Sequence, residues 1–256
     1  MIVKSPLRYP GGKSRAVNII SKYIPNDAKR ICSPFFGGGS LEIHCAQNGM
    51  RVYGYDTFGP LVDFWQILLK NPKKLAHYVR AYHPLNREKF YELQKMQLDS
   101  KSKLERATIF FVLNRTSFSG STLSGGMATG GADNNPRFTK SSIDNIESFK
   151  IRNLTVRQLD FKKSIPKHKN DLLYLDPPYI IQSRLYGKKG DLHKHFDHYG
   201  LAKILKKRDS WILSYNDSKE IRNMYLDYKI VRPDWKYGMS NNKKSREIVI
   251  VSHDLE

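Results

Sequence analysis

Asp176, Pro177, Pro178 and Tyr179 are the residues whose types and order first suggest chemistry. They follow the apolar run Leu172-Leu173-Tyr174-Leu175, which puts them where a buried strand stops and the backbone turns. Proline has no backbone N–H and resists continuing a strand, so two in succession open a corner. That corner would gather a carboxylate, the proline carbonyls and the Tyr179 ring around one small space, which suits a flat base bearing an amino group. An exocyclic amine is a poor nucleophile because its lone pair is delocalised into the ring. A carboxylate oxygen and a proline carbonyl could hold both amine hydrogens and aim the lone pair at an incoming methyl group, a gain from orientation and preorganised electrostatics. Taken alone, the tetrapeptide reads first as a strand-ending turn with a half-buried tyrosine. The rest of the chain shifts that balance.

Residues 6–15 read as a glycine-bearing turn feeding an amphipathic helix over Ala16 to Tyr23, with Lys13 at its entrance, where it meets a carboxylate or faces water. Arg30 to Phe36, Gly37-Gly38-Gly39-Ser40 and Leu41 to Asn48 read as a strand, a tight loop and a helix capped by Ser40 and closed by Gly49. Arg51 to Tyr55 form a second strand ending in Asp56, 19 residues past Gly37. This spacing is near the ~20 expected of an acid on ribose hydroxyls, although a generic βαβ turn would look similar.

Between residues 63 and 115 the pattern is helical: Phe64 to Leu69, Leu75 to Tyr82, Glu88 to Leu98 and Leu104 to Asn114, broken at Asn71-Pro72 and His83-Pro84. Residues 116–136 hold five glycines, four serines and one charge, Asp133, and read as a hairpin or a mobile loop. A helix over Ser141 to Phe149 and a strand over Ile151 to Leu159, ending at Asp160-Phe161, precede the Asp176 strand. After Tyr179 comes a basic, His-rich loop with Lys188 and Lys189, too long for a simple connection. A helix over Tyr199 to Lys207, a strand over Trp211 to Tyr215, a helix over Ser218 to Leu226 and strands near Val231 and over Glu247 to Val251 complete an alternating α/β pattern. The turn holding Lys243 and Lys244 can touch phosphates, though a lone basic turn is usually just solvated.

The chain's 256 residues suffice for a sizeable core, in one large domain or one domain with an insertion. Lys and Arg number 44 against 24 acids, a formal charge of +20, which favours a polyanionic partner through attraction to phosphates and counterion release. Cys32 and Cys45, the only cysteines, suggest neither zinc nor a disulfide framework, and a reducing cytoplasm fits. No signal-like run and no stretch near the ~20 residues needed to span a bilayer is present, so a soluble, cytoplasmic protein that needs no metal is expected.

In order, Tyr9-Pro10-Gly11-Gly12-Lys13, Pro34-Phe35-Phe36-Gly37-Gly38-Gly39-Ser40, Asp56, Leu113-Asn114-Arg115, Asp160-Phe161, Asp176 to Tyr179, and Lys244 with Glu247 resemble the motifs of the Dam-type adenine-specific DNA methyltransferases. The resemblance covers nearly the whole chain. It implies a Rossmann-like, mixed seven-stranded sheet flanked by helices, with residues 1–62 and 138–256 as catalytic domain and 63–137 as a mostly helical target-recognition insertion. It also implies S-adenosylmethionine as cofactor, held by Tyr9, Gly12, Lys13, Phe36, Gly37, Gly39, Asp56, Asp160, Phe161 and Asp176. Asp176 to Tyr179 would hold an adenine flipped from double-stranded DNA. Arg115, Ser117, Ser119 and Arg137 are expected at the DNA, with Arg115 and Arg137 clamping the backbone or pairing with guanine, and Lys188, Lys189, Lys243 and Lys244 on phosphates. Ser33 stands where the family usually has an acid, a departure that cofactor binding tolerates; Ser119-Gly120 replaces the family's more usual Asn-Gly, and this second departure leaves the target sequence open. A restriction endonuclease acting on the same site, not bound to this chain, and a phage-encoded or nucleoid-associated enzyme fit the resemblance. Methylation of cytosine's amine or of RNA remains the enzymatic alternative, and an inactive DNA-binding protein the non-enzymatic one.

Overall fold

The computed structural model describes residues 3–9, 11–128, 137–180, 196–233 and 247–256. Its frame is a seven-stranded sheet in the order β3-β2-β1-β4-β5-β7-β6. The strands are β1 (Arg30–Ser33), β2 (Arg51–Asp56), β3 (Leu154–Gln158), β4 (Leu172–Leu175), β5 (Trp211–Asn216), β6 (Lys229–Val231) and β7 (Glu247–Val251). β3, β2, β1, β4 and β5 run parallel, while β7 enters antiparallel between β5 and β6. The expected mixed seven-stranded sheet is therefore present.

Both faces of the sheet are covered, and the strands' two-residue period divides them. Ile31, Val52, Leu172, Tyr174, Ile212, Val249 and Val251 point to one face. There they meet α2 (Ser40–Gln47), α3 (Gly59–Lys70), α4 (Pro72–Arg80), α6 (Lys103–Thr116) and α7 (Lys140–Glu147), all in one continuous core. The short α1 (Val17–Ile20) and α5 (Arg87–Met96) lie against the same core. Cys32, Leu173, Leu175, Trp211, Leu213, Ile248 and Ile250 point the other way, onto α8 (Phe161–Ser164), α9 (His198–Leu205) and α10 (Lys219–Met224).

The four helices expected between residues 63 and 115 are α3 to α6. The division expected after residue 62 falls inside α3, whose Phe64 and Trp65 share a core with the sheet residue Val52. One capping expectation is corrected. The N-cap of α2 is Gly39 in the left-handed conformation (φ 64°), and Ser40 is already helical. A Cβ at residue 39 would lie 2.8 Å from the Phe36 ring, so a serine cap has no room there. The glycine-rich stretch is hairpin-like where it is described: Ser117 bridges Met127 antiparallel across a 3₁₀ turn, Phe118–Gly120. Residues 129–136, the basic loop with Lys188 and Lys189, and the Lys243-Lys244 turn lie outside the described residues. Among the described residues, no helix is long and apolar enough to cross a membrane.

Gly54, in the middle of β2, lets the Phe36 ring lie across the strand: a Cβ there would sit 2.2 Å from the ring. Gly54→Ala must displace that ring and the Trp65 indole packed edge-on against it at 5.2 Å. Overpacking of this kind costs about 1–3 kcal/mol, and the urea midpoint should fall accordingly; an unchanged midpoint would mean that the ring moves freely.

Candidate active site

The site forms where β1, β2 and β4 end together at the carboxyl edge of the sheet, the crevice in which open α/β sheets hold ligands. β1 runs into the loop of residues 34–39, whose Gly37 and Gly39 both have positive φ (47° and 64°). Three contacts fix this loop. The Gly37 N–H donates to Asp56 Oδ2 at 3.1 Å, the Trp65 indole N–H donates to the Gly37 carbonyl at 3.0 Å, and the Tyr9 ring lies on Gly37 and Gly38. Asp56 Oδ1 also accepts from the Phe58 N–H at 3.0 Å. Burial raises the Asp56 carboxyl above its usual range, and these backbone donors oppose the rise. A carboxylate offers about four lone-pair sites, so capacity is left for a ligand's hydroxyls beyond these backbone donors, which include the Thr57 N–H.

At the end of β4, Asp176 meets Lys13. The Lys13 ammonium lies 2.8 and 2.7 Å from the two carboxylate oxygens, donates to the Gly11 carbonyl at 2.8 Å, and stands 3.6 Å from Glu247 Oε1. The Tyr179 hydroxyl is 2.6 Å from Glu247 Oε1 and 3.0 Å from Asp176 Oδ1, so its single proton is shared between two carboxylates. The ammonium also sits 5.2 Å from the centre of the Tyr179 ring. Burial raises the Asp176 carboxyl; Lys13 pulls it back down, and Glu247 pushes it up again. The side chains of Lys13 and Glu247 are only 6% and 3% exposed, whereas that of Asp176 is 22% exposed, so Asp176 is the group of the three that an incoming base can reach. The corner after it is pinned by Asn216, whose amide accepts from the Ile180 N–H (3.2 Å) and donates to the Ile180 carbonyl (3.1 Å).

The structure thus brings Tyr9, Gly12, Lys13, Gly37, Asp56, Asp176 and Tyr179 to one edge. Pro177 is buried and Pro178 half-buried behind Asp176. Phe36 lies beneath the glycine loop, edge-on to Trp65. Asp160 caps α8 by accepting from the Lys162 N–H at 2.8 Å, and it neighbours Asp56 because the Leu159 N–H donates to the Asp56 carbonyl. Phe161 is buried against Phe35 and Phe196, with ring centres 5.7 and 5.3 Å away.

A family profile described as D12 class N6 adenine-specific DNA methyltransferase matches residues 9–239, from Tyr9 past the last of these site residues but Glu247. The chain belongs to that family. It is 24% identical, over 260 residues, to a DNA adenine methylase of Haemophilus influenzae, covering 94% of this chain and 89% of that protein. It is 21% identical, over 193 residues and 72% of each chain, to the Type II methyltransferase M.CviBI of Paramecium bursaria Chlorella virus NC1A. The amine in question is therefore that of adenine in DNA.

The hairpin of this adenine methyltransferase differs in part from expectation. The Arg115 guanidinium donates through Nε and Nη2 to the Arg137 carbonyl, at 2.9 and 2.6 Å. Burial first, then repulsion from Arg8 and Arg137, lowers its pKa to about 10. Two of its five donors are thus committed to the chain, so a bidentate pair with guanine has to use the others. Ser117 is enclosed at 0% exposure and cannot touch DNA in this conformation, because the bridge to Met127 turns it inward. Ser119, with φ 55°, is half-buried beside Phe118, which is 66% exposed. Asn114 holds the segment before Tyr9, accepting from the Arg8 N–H (2.9 Å) and donating to the Arg8 carbonyl (2.8 Å).

Three residues of this region carry weight that sequence reasoning did not give them. Asn114 and Glu247 stood only as motif positions, and neither was assigned a contact. Glu42 is the third: it is 2% exposed in the first turn of α2 and accepts from the Ser33 hydroxyl at 2.6 Å. The acid missing at position 33 thus has a carboxylate beside it after all. Burial pushes the Glu42 carboxyl up to about 7, against the Ser33 hydrogen bond.

A carboxyl raised in the folded state binds more protons there than in the unfolded chain, so its contribution to stability falls as pH climbs from the unfolded value through about 7. Glu42→Gln removes that dependence. Measured by urea unfolding, the variant should gain on the native chain by up to about 3 kcal/mol between pH 5 and pH 8. Parallel stability curves would mean that Glu42 is charged throughout.

Proposed function

We propose that this adenine methyltransferase takes its methyl group from S-adenosylmethionine and acts on a flipped adenine within a short motif of double-stranded DNA. The observation that carries this reading is the Lys13, Asp176, Tyr179 and Glu247 knot lying beside a glycine loop tied to Asp56. A donor of this kind carries an adenosine end and a cationic sulfonium end. Asp56, with lone pairs left over, suits ribose hydroxyls, and the glycine loop allows the close backbone approach that such a group needs. Two carboxylates and one ammonium give the other end a net negative charge, which favours a cation. Tyr9, Gly12, Lys13, Phe36, Gly37, Gly39, Asp160 and Phe161 complete the holding set, with Phe36 and Phe161 acting from beneath. When bound, the donor supplies an electrophilic methyl group.

The chain's own work is to prepare the amine. Lys13 takes two of the Asp176 lone-pair sites and Tyr179 a third, which leaves about one for an amine hydrogen. A proline carbonyl takes the second hydrogen, so the nitrogen lone pair is directed toward the methyl group. Lys13 opposes the burial that favours the protonated form of Asp176 and so supports its ionised form. The Tyr179 ring supplies a face for the base. Sequence reading belongs to residues 63–137, where exposed Phe118 suits contact with bases and Arg137 contact with phosphate. Lys188, Lys189, Lys243 and Lys244 add phosphate contacts in this reading. A paired endonuclease, for which the type II name of one relative is the support, would act on the same site without binding this chain, and the cytoplasm is the compartment that fits.

Asp176→Ala should lower methyl transfer at least about a hundredfold while DNA affinity stays within a few-fold, as measured by tritiated methyl incorporation and by fluorescence anisotropy. Transfer at the native rate would remove the corner from the mechanism. Asp56→Ala should weaken S-adenosylhomocysteine in calorimetry by about 1.5–3 kcal/mol. An unchanged dissociation constant would leave Asp56 as a tether of the glycine loop alone.

A further inference from the structure

The opposite edge of the sheet, where the parallel strands begin, carries its own row of positive charge. Arg152 precedes β3, Arg51 opens β2, Lys29 precedes β1, Lys167 and Lys169 precede β4, and Lys206 follows α9 on the way to β5. All six are exposed. None makes an ion pair with another described residue, whereas Arg30, at the same level, is held 2.6 Å from Asp171. Asp171 is also bonded to His168 at 2.7 Å, so it does not serve the neighbouring lysines. Asp27 and Asp209 are the other carboxylates of these turns, and Asp254, just past β7, joins them at the start of β5 by accepting from the Ser210 N–H and hydroxyl. A merely solvated face balances both signs; here six cations without an ion pair among the described residues line the starts of five adjacent strands, against three such carboxylates.

The dimensions fit a duplex. Five strands at ~4.8 Å spacing make an edge of ~19 Å, along which a DNA duplex carries on the order of ten phosphates. The catalytic edge lies at the other ends of strands of four to six residues, so ~13–20 Å of packed sheet separates the two. A straight duplex lying at Asp176 does not reach Lys169.

We propose that the amino edge of the sheet is a second duplex-binding surface, on which the enzyme holds another DNA segment while the first lies at the catalytic edge. Binding there is electrostatic and blind to sequence. It lets an enzyme on long DNA pass between distant segments without leaving both.

The test is a bridging assay at low salt. A bead-tethered duplex with the methylation site is loaded with enzyme, and capture of a labelled duplex lacking the site is measured. The native enzyme should capture the second duplex. K167E/K169E/K206E should lose about tenfold or more of that capture, yet methylate a short single-site duplex at the native rate. K22E/K140E/K219E, with the same change in net charge on exposed lysines outside both the amino edge and the recognition insertion, should keep capture. The proposal is overturned if the native enzyme captures nothing, if the first variant captures as well as the native enzyme, or if both variants lose capture equally, since the last outcome would reflect net charge alone.

Discussion

The ammonium of Lys13 is the contact on which the catalytic edge depends. It joins a segment that precedes the first helix to the end of β4 through Asp176, and to the start of β7 through Glu247. These three pieces are far apart in sequence and have no shared strand ladder at that point. Without a cation between them, two carboxylates would face each other across a shared tyrosine proton in a largely buried space, and one would protonate. A protonated Asp176 is a poor acceptor for an amine hydrogen, so the ion pair that holds the chain together also sets the chemistry. Breaking such a pair by removing one partner leaves an uncompensated buried charge, which is why either substitution reaches beyond the residue changed.

Much of this was legible in the sequence because the punctuation is local. The run Leu172 to Leu175 closed by two prolines, Arg51 to Asp56 bounded by Gly49, and the helices broken at Asn71-Pro72 and His83-Pro84 announce themselves by apolar period and by residues that cannot continue an element. The sheet order is not local in this way. The placement of β7 between β5 and β6, which delivers Glu247 to Tyr179, comes from pairing that no window of sequence contains. Glu42 is hidden for a related reason: an acid in a first helical turn normally faces water and the helix dipole, and only the strand in front of it makes this one buried. Arg115 looked like a reader of DNA because Arg commonly is; its commitment to the Arg137 carbonyl depends on how the hairpin folds back.

Within the fold, the division of labour between the two sheet faces follows from strand alternation. One face carries the large helical block, so the segment from α3 to α7 is anchored in the same core as β2 and cannot shift far without disturbing the glycine loop through Trp65. The other face carries three short helices and the Phe35, Phe161 and Phe196 cluster.

The asparagine at position 114 grips residue 8 only by its peptide group, one bond to the N–H and one to the carbonyl. Such a grip is indifferent to the side chain it carries. The hold on Tyr9 therefore does not itself choose the residue type at position 8; that choice belongs to the side chain's own surroundings, where a guanidinium nitrogen is buried and Arg137 stands near. Asn216 grips Ile180 in the same way at the far side of the corner, while the Ile180 side chain packs against the core of the second sheet face. At both places the bond that keeps the register and the contact that selects the side chain are separate tasks.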